Sequence, residues 1–393
     1  MKILSVNCGS SSLKFQMYEM PEEKVLIWGY FEKIGSKDSF YSIKINGEKT
    51  RKEVNVENHE QAFHLLVEEL LNNNIIKDPE EIKGIGHRIV QGGAYFDKTV
   101  EATPDTIAKV EELGALAPLH NPAAVVGIKA AIKVFPNALQ TVVFDTAFHQ
   151  TMDETSYIYA VPYEWYEKYQ IRRYGAHGTS HKYLTKEMNK ILGREDTKLI
   201  TCHIGNGASI SAVKDGKCID TSMGLTPNAG LIMGTRCGDM DATIVTYMID
   251  KLGLSGKEMD TILNRESGLL GISGISNDHR DVEQGIEAGN KRCLLAHKMF
   301  IKSIISFIAK YYVELGGCDA IIFSAGVGEN SAKTRHDVME GLKVLGITIN
   351  EENNNTRGKL IKVSGDDSKI LVYVIPTDEE VMIARDTYNL VQK

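Results

Sequence analysis

The segment Lys2-Ile-Leu-Ser-Val-Asn-Cys-Gly-Ser-Ser-Ser-Leu-Lys14 decides the fold, because it returns near the middle of the chain in altered form. The later copy reads Leu199-Ile-Thr-Cys-His-Ile-Gly-Asn-Gly-Ala-Ser-Ile-Ser-Ala-Val213. Each copy is an apolar run, a turn of Gly and small polar residues, then a second apolar run, the pattern of a hairpin. Setting Gly9 on Gly205 places the copies 196 residues apart, about half of the 393-residue chain. Each continues through a further turn, Pro21-Glu-Glu-Lys24 or Lys214-Asp-Gly-Lys217, into a third strand. A duplicated unit lined by backbone N–H groups and hydroxyls predicts two α/β lobes gripping one polyanion.

The length allows two to three domains, each with its own core. Composition is that of a folded globular chain, 42% hydrophobic and 25% charged. The net charge of −7 argues against a nucleic-acid-coating surface. It leaves room for an anionic small substrate, since a few Arg residues in a cleft reverse the local field. The six Cys residues, at 8, 202, 218, 237, 293 and 318, form no C-x-x-C pair. That spacing suits a reducing compartment rather than a disulfide framework. No apolar run approaches membrane-spanning length, so a soluble, cytoplasmic protein is expected.

Along the chain, a polar hairpin region is predicted over about 36–57, followed by a helix capped by Asn58 with Gln61 at its third position. Phe63, Leu66, Val67 and Leu70 share one face of it. Strands are expected at 82–90, 141–145, 320–324 and 370–375, and helices from Thr179 or Ser180 to Leu192 and over 299–315. A third turn is expected over 325–330 and an exposed turn over 351–355. Thr377 with Glu380 reads as the capping box of a last helix. The first lobe should span 1–149, with the last helix (about 380–393) returning to it, and the second 150–379. Neither G-x-x-x-x-G-K-[ST] nor the dinucleotide fingerprint occurs, which excludes a P-loop and disfavours a nicotinamide enzyme.

Several motifs together closely resemble the acetate kinase family of short-chain acyl kinases, in an order that spans nearly the whole chain. They include Val6-Asn-Cys-Gly-Ser-Ser-Ser-Leu-Lys14, His87-Arg88, Phe144-Asp145, Arg173-Tyr-Gly-Ala-His-Gly-Thr-Ser-His181 and His203-Ile-Gly-Asn-Gly-Ala-Ser209. Met233-Gly-Thr-Arg-Cys-Gly-Asp239, Ser276-Asn-Asp-His-Arg-Asp281, Ser324-Ala-Gly-Val-Gly-Glu-Asn330 and Pro376-Thr-Asp-Glu-Glu380 follow. The resemblance implies the fold of sugar kinases, actin and Hsp70: two ribonuclease-H-like lobes with mixed, five-stranded-type sheets and ATP in the cleft. It also implies a homodimer and reversible phosphorylation of acetate to acetyl phosphate, with Mg²⁺ (Mn²⁺ as the alternative) and neither nucleic acid nor membrane as partner.

A carboxylate acceptor is already ionised near neutral pH, so its attack on phosphorus needs no general base. Catalysis then consists of alignment and charge stabilisation, work suited to the planar fork of Arg. By resemblance, Arg88 and Arg236 bind the carboxylate and the phosphoryl oxygens, His177 donates to the moving phosphoryl, and Asp145 is catalytic. For Asp145 the chemistry favours an electrostatic role. His177 and His181 also have the i, i+4 spacing of zinc ligands, but the Glu of H-E-x-x-H is missing. The family pattern places Mg²⁺ at Asn7 and Glu379, a small oxygen set that suits it. It places the nucleotide along Lys14, His203, Ile204, Gly205, Asn206, Gly207, Asp278, His279, Arg280, Gly326, Val327, Gly328, Glu329 and Asn330. Arg280 either stacks on adenine or pairs with Asp281. Val90, Leu119 and Pro227 would line the acyl pocket, with His120 nearby. Ala176 stands where some relatives carry Phe, which would leave space for propionate. A propionate kinase is therefore the alternative within the family, and a non-catalytic actin- or Hsp70-like switch the alternative outside it.

Overall fold

The computed structural model describes all 393 residues, which divide into two compact units, 1–150 with 378–393, and 151–377. The first unit carries β1 (Lys2–Cys8), β2 (Ser12–Glu19), β3 (Lys24–Glu32), β4 (Phe40–Ile45), β5 (Glu48–Glu53), β6 (Ile82–Ile89), β7 (Val100–Glu101) and β8 (Leu139–Phe144). The second carries β9 (Lys198–Ile204), β10 (Ala208–Lys214), β11 (Lys217–Thr221), β12 (Ala320–Ser324), β13 (Ile361–Lys362) and β14 (Leu371–Val374).

Sheet order shows the duplication. The first sheet runs β5-β4-β3-β2-β1-β6-β8-β7 and the second β11-β10-β9-β12-β14-β13. Each has a five-strand core, β3-β2-β1-β6-β8 in one and β11-β10-β9-β12-β14 in the other. In both, the opening strand pairs antiparallel with the second and parallel with the fourth. In both, a two-residue strand adds an antiparallel edge to the last parallel strand. The β4–β5 hairpin is the one addition without a counterpart. Its outer strand, Glu-Lys-Thr-Arg-Lys-Glu, is exposed at all six positions, a charged edge that discourages further pairing.

Strand composition explains the burial. β12, Ala-Ile-Ile-Phe-Ser, is buried throughout, as expected for a parallel strand covered on both faces. On the first sheet, His59–Asn72 packs Phe63, Leu66 and Leu70 into a core with Leu4, Val6 and Phe15. Asn58 Oδ1 accepts from the Gln61 amide at 2.9 Å, the expected cap. The last helix, Glu379–Val391, belongs to this first unit and buries Val381, Met382, Ile383 and Ala384. In the second unit, Lys291–Glu314 is the long core helix, starting eight residues before the predicted position because Asn290 caps it.

Four local expectations need correction. Ala325–Asn330 is a short helix, not a turn, and follows β12 directly. Glu351–Asn354 is a helical turn with Asn354 buried, not an exposed turn. The cap of the last helix is Asp378, whose carboxylate accepts from the Val381 amide at 2.9 Å. Thr377 instead bonds Ser180 Oγ at 2.8 Å, and its amide donates to Glu329 at 3.1 Å. The helix after the central motif begins at Gly178, with His177 as its N-cap.

Candidate active site

In the first unit, strand alternation on β6 buries His87 and turns Arg88 to the opposite face. Its guanidinium meets Asp145, one residue beyond the end of β8: Nε donates to Oδ1 at 3.1 Å and to Oδ2 at 3.2 Å, and Nη2 to Oδ2 at 2.6 Å. Asp145 is 1% exposed. Its charge is the main reason that Arg88 is held more firmly protonated than a free Arg. Glu379, at the start of the last helix, lies 3.8 Å from Arg88 Nε. Burial pushes Glu379 up to about 7; Arg88 opposes the shift, while Asp145, Glu380 and Asp378 add to it. Asn7 stands near the end of β1, opposite Lys14 in the hairpin register. Three neighbouring carboxylates therefore act on Glu379 against the single opposing charge of Arg88.

In the second unit, His177 holds a left-handed backbone, φ 58° and ψ 22°, which is uncommon outside Gly and clusters at functional sites. Its Nδ1 bonds Ser209 Oγ at 2.9 Å, and its ring stacks on His203 at 4.1 Å between centroids. His181 bonds the same Ser209 Oγ at 2.8 Å and Thr201 Oγ1 at 2.7 Å. The two histidines thus share a serine, and no group of three or more His, Cys, Asp or Glu side chains is arranged to hold a metal ion. This arrangement gives the zinc reading no support.

Gly207 brings three elements together. A Cβ added there would lie 3.3 Å from Arg236 Nη1 and 3.6 Å from His177 Nε2. Arg236 donates to the Pro227 carbonyl at 2.9 Å and forms no salt bridge; burial alone lowers its pKa. A desolvated, uncompensated guanidinium near an imidazole and a glycine backbone is chemically suited to receive an anion.

Next to this point lies a cavity of about 530 Å³. It gathers Gly205, Asn206, Asp278, His279, Arg280, Gly326, Val327 and Asn330 from three separate stretches of sequence. Sequence reasoning missed Gly234, Leu269, Asn277, Glu283, Ser331 and Arg357, which also line it. Gly234 has a readable reason: a Cβ there would meet Asn206 Oδ1 at 1.8 Å.

The other residues of the predicted nucleotide set do not line this cavity. His203, Ile204, Gly207, Gly328 and Glu329 are not in the lining. Ile204 is fully buried in the core, and Gly328 gives its carbonyl to Arg335 at 2.9 Å. Glu329 turns inward, accepting from the amides of Ala325 at 2.8 Å and Thr377 at 3.1 Å. Lys14 is an exposed residue of β2 in the first unit. Arg280 pairs with Asp278, not Asp281, which instead accepts from Ser276 Oγ at 2.6 Å. The two sides of that pair begin the helix His279–Glu287, whose N-cap is Asp278. His279 is buried, bonding Thr334 at 3.2 Å, and burial lowers it to about 4.

Of the acyl-pocket residues, Val90 is half-buried, Leu119 is 68% exposed and Pro227 half-buried. His120 is exposed at a helix N-cap. Ala176 packs into the core of the second unit with Met223 and Leu231.

The acetokinase family model matches residues 2–385. The chain is 51% identical over 393 residues to an acetate kinase of Bacillus velezensis, with 100% of both chains covered. Among solved structures, it is similar to Porphyromonas gingivalis acetate kinase, with a TM-score of 0.95, 45% identity and 100% of both chains covered. A propionate kinase from Francisella tularensis aligns with a TM-score of 0.92 and 42% identity over 99% of both chains.

Proposed function

Because this chain belongs to the acetokinase family, we propose that it transfers the γ-phosphoryl group of ATP reversibly to acetate, giving acetyl phosphate and ADP. The observation that carries the reading is the meeting of Arg236, His177 and Gly207 with no carboxylate to neutralise the arginine. Its place is to bind phosphoryl oxygens as their charge redistributes during transfer. A non-catalytic nucleotide switch would have no use for it.

Arg88 is assigned to the acetate carboxylate, oriented by Asp145. That pair leaves Nη1 of the guanidinium outside the hydrogen bonds to Asp145. Acetate arrives ionised, so Asp145 holds Arg88 in place and takes no proton from the nucleophile. His177, fixed through Nδ1 by Ser209, is assigned to donate from Nε2 at the transferring group. The cavity over Gly205, Asn206, Asp278 and Gly326 is assigned to the nucleotide.

Asn7 and Glu379 would hold Mg²⁺ (Mn²⁺ as a substitute). The surplus of carboxylates around Glu379 and its all-oxygen donor set fit a hard divalent cation. When bound, the cation supplies neutralising charge for the phosphates. Val90, Leu119 and Pro227 are assigned to the acyl group. One methylene separates acetate from propionate and is worth only about 1–3 kcal/mol, so propionate should be a slower second substrate. A homodimer is also inferred. The helix Thr243–Leu252 buries none of its residues and leaves Ile244, Tyr247 and Leu252 exposed, an apolar face suited to a second copy.

Trapping acyl phosphate with hydroxylamine, in the presence of ATP and Mg²⁺ with acetate, propionate or butyrate, tests the assignment. Acetyl hydroxamate should form fastest. No trapped product from any of the three acids would leave the chain without this activity.

A further inference from the structure

The nucleotide cavity has a second end that the family motifs do not describe. Its phosphate side is marked by Gly205 and Asn206, next in sequence to Gly207 where Arg236 and His177 meet. At the other side stand Glu283, Asn330, Ser331 and Arg357. These four also line an adjoining cavity of about 590 Å³ that contains neither Gly205, Asn206 nor Gly234. They therefore mark the end remote from phosphoryl transfer. If the phosphates lie toward Gly207, this end receives the base.

Two arginines line the cavity. Arg280 is already gripped by Asp278, with Nε at 3.0 and 3.2 Å from the two carboxylate oxygens and Nη2 at 2.6 Å from Oδ2. Arg357 is exposed and forms no salt bridge. Its loop is nevertheless held. The fully buried Arg335 donates through Nε to Asn354 Oδ1 at 2.9 Å, through Nη2 to the carbonyls of Asn354 and Thr356, and through Nη1 to the Gly328 carbonyl. The Gly358 amide donates to the Glu329 carbonyl at 3.2 Å. One buried guanidinium thus ties the 354–358 loop to the short helix whose Gly326, Val327 and Asn330 line the cavity.

We infer that Arg357 is a nucleotide-binding residue whose planar guanidinium stacks on the purine base, with Arg335 as the positioning residue that sets its loop. The inference rests on the ATP-binding reading above. Arg357 shares the cavity lining with apolar Leu269 and Val327, and an exposed, unneutralised guanidinium suits the face of an aromatic ring that would cover it on binding. A lysine in its place would keep the charge and lose the planar fork.

The test compares the unaltered chain with Arg357→Ala, Arg357→Gln and Arg357→Lys. Circular dichroism confirms folding, which a surface position should not disturb. All three variants should raise the KM for ATP about tenfold while leaving kcat and the KM for acetate unchanged. Inhibition by inorganic tripolyphosphate, which has phosphates but no base, should be unaffected. An ATP KM within twofold of normal overturns the inference. So does full recovery by Lys, which would assign the effect to charge, or parallel loss of tripolyphosphate inhibition, which would assign it to phosphate. Calorimetric ADP binding separates this inference from the activity. A chain that binds ADP but makes no acetyl phosphate refutes the proposed reaction, while weaker ADP binding in the variants still supports Arg357.

Discussion

Arg88 and Asp145 form a three-contact fork, with Nη2 to Oδ2 at 2.6 Å, and the carboxylate is almost wholly buried. The first unit thus carries a neutralised arginine, and the second carries Arg236 without a counter-ion. The difference suits two kinds of work. A compensated arginine is held in one orientation, and an uncompensated one is ready for a highly charged ligand.

Asp145→Asn keeps the shape and removes the charge that orients Arg88. Turnover should fall about 10²-fold, the scale on which displaced catalytic groups act. The KM for acetate should rise with it. If Asp145 were instead a general base, raising the pH with the Asn variant would restore rate through hydroxide. Steady-state kinetics from pH 6 to 9 should show no such recovery.

Buried His87 bonds Gln140 at 2.8 Å and is lowered to about 4, mainly by burial. Its unfolded form titrates near the ordinary value of 6.5. Between these values the unfolded chain binds more protons, so His87 makes stability fall as pH drops from 6.5 toward 4. His87→Gln should flatten that acid limb in urea titrations performed at pH 7, 6, 5 and 4. An unchanged slope would assign the acid sensitivity to other groups.

Glu379 carries the opposite sign. Its carboxyl is raised from 4.5 to about 7, so the folded chain holds the extra proton and loses stability as pH rises across that window. Glu379→Gln, without added divalent cation, should therefore raise Tm at pH 8 more than at pH 5. The same variant should lose most Mg²⁺-dependent turnover. Equal Tm changes at both pH values would remove the electrostatic account of this residue.

Arg335 makes its contacts in full burial and without a carboxylate partner, and burial with the neighbouring Arg357 lowers it to about 10. Arg335→Ala leaves the carbonyls of Gly328, Asn354 and Thr356 without their donor. A cost of about 2–4 kcal/mol is expected, the range for a broken buried network. Chemical denaturation measures it directly.

The hairpins at 2–19 and 198–214 were readable because alternation and glycine turns are local signals, and the duplicated sheet order follows from them. The segment 325–330 was misread as a turn because its two glycines hide a helix that starts at Ala325. Thr377 matched a capping pattern, but tertiary contacts with Ser180 and Glu329 claim it, leaving Asp378 as the cap. Gly205, Asn206 and Asp278–Arg280 were traceable through family motifs. Arg357 was not, because its place at the cavity depends on buried Arg335, and long-range burial leaves no periodic trace in sequence. Glu329 shows the reverse case, a motif residue whose side chain serves the backbone.

The most direct measurement is the rate of acetyl phosphate formation by Arg236→Ala and Arg236→Lys under saturating ATP, Mg²⁺ and acetate. An arginine that stabilises the phosphoryl group in flight should cost roughly 10³-fold or more in kcat when removed, and Lys should restore little of it. A rate within a few fold of normal in the Ala variant would contradict the account.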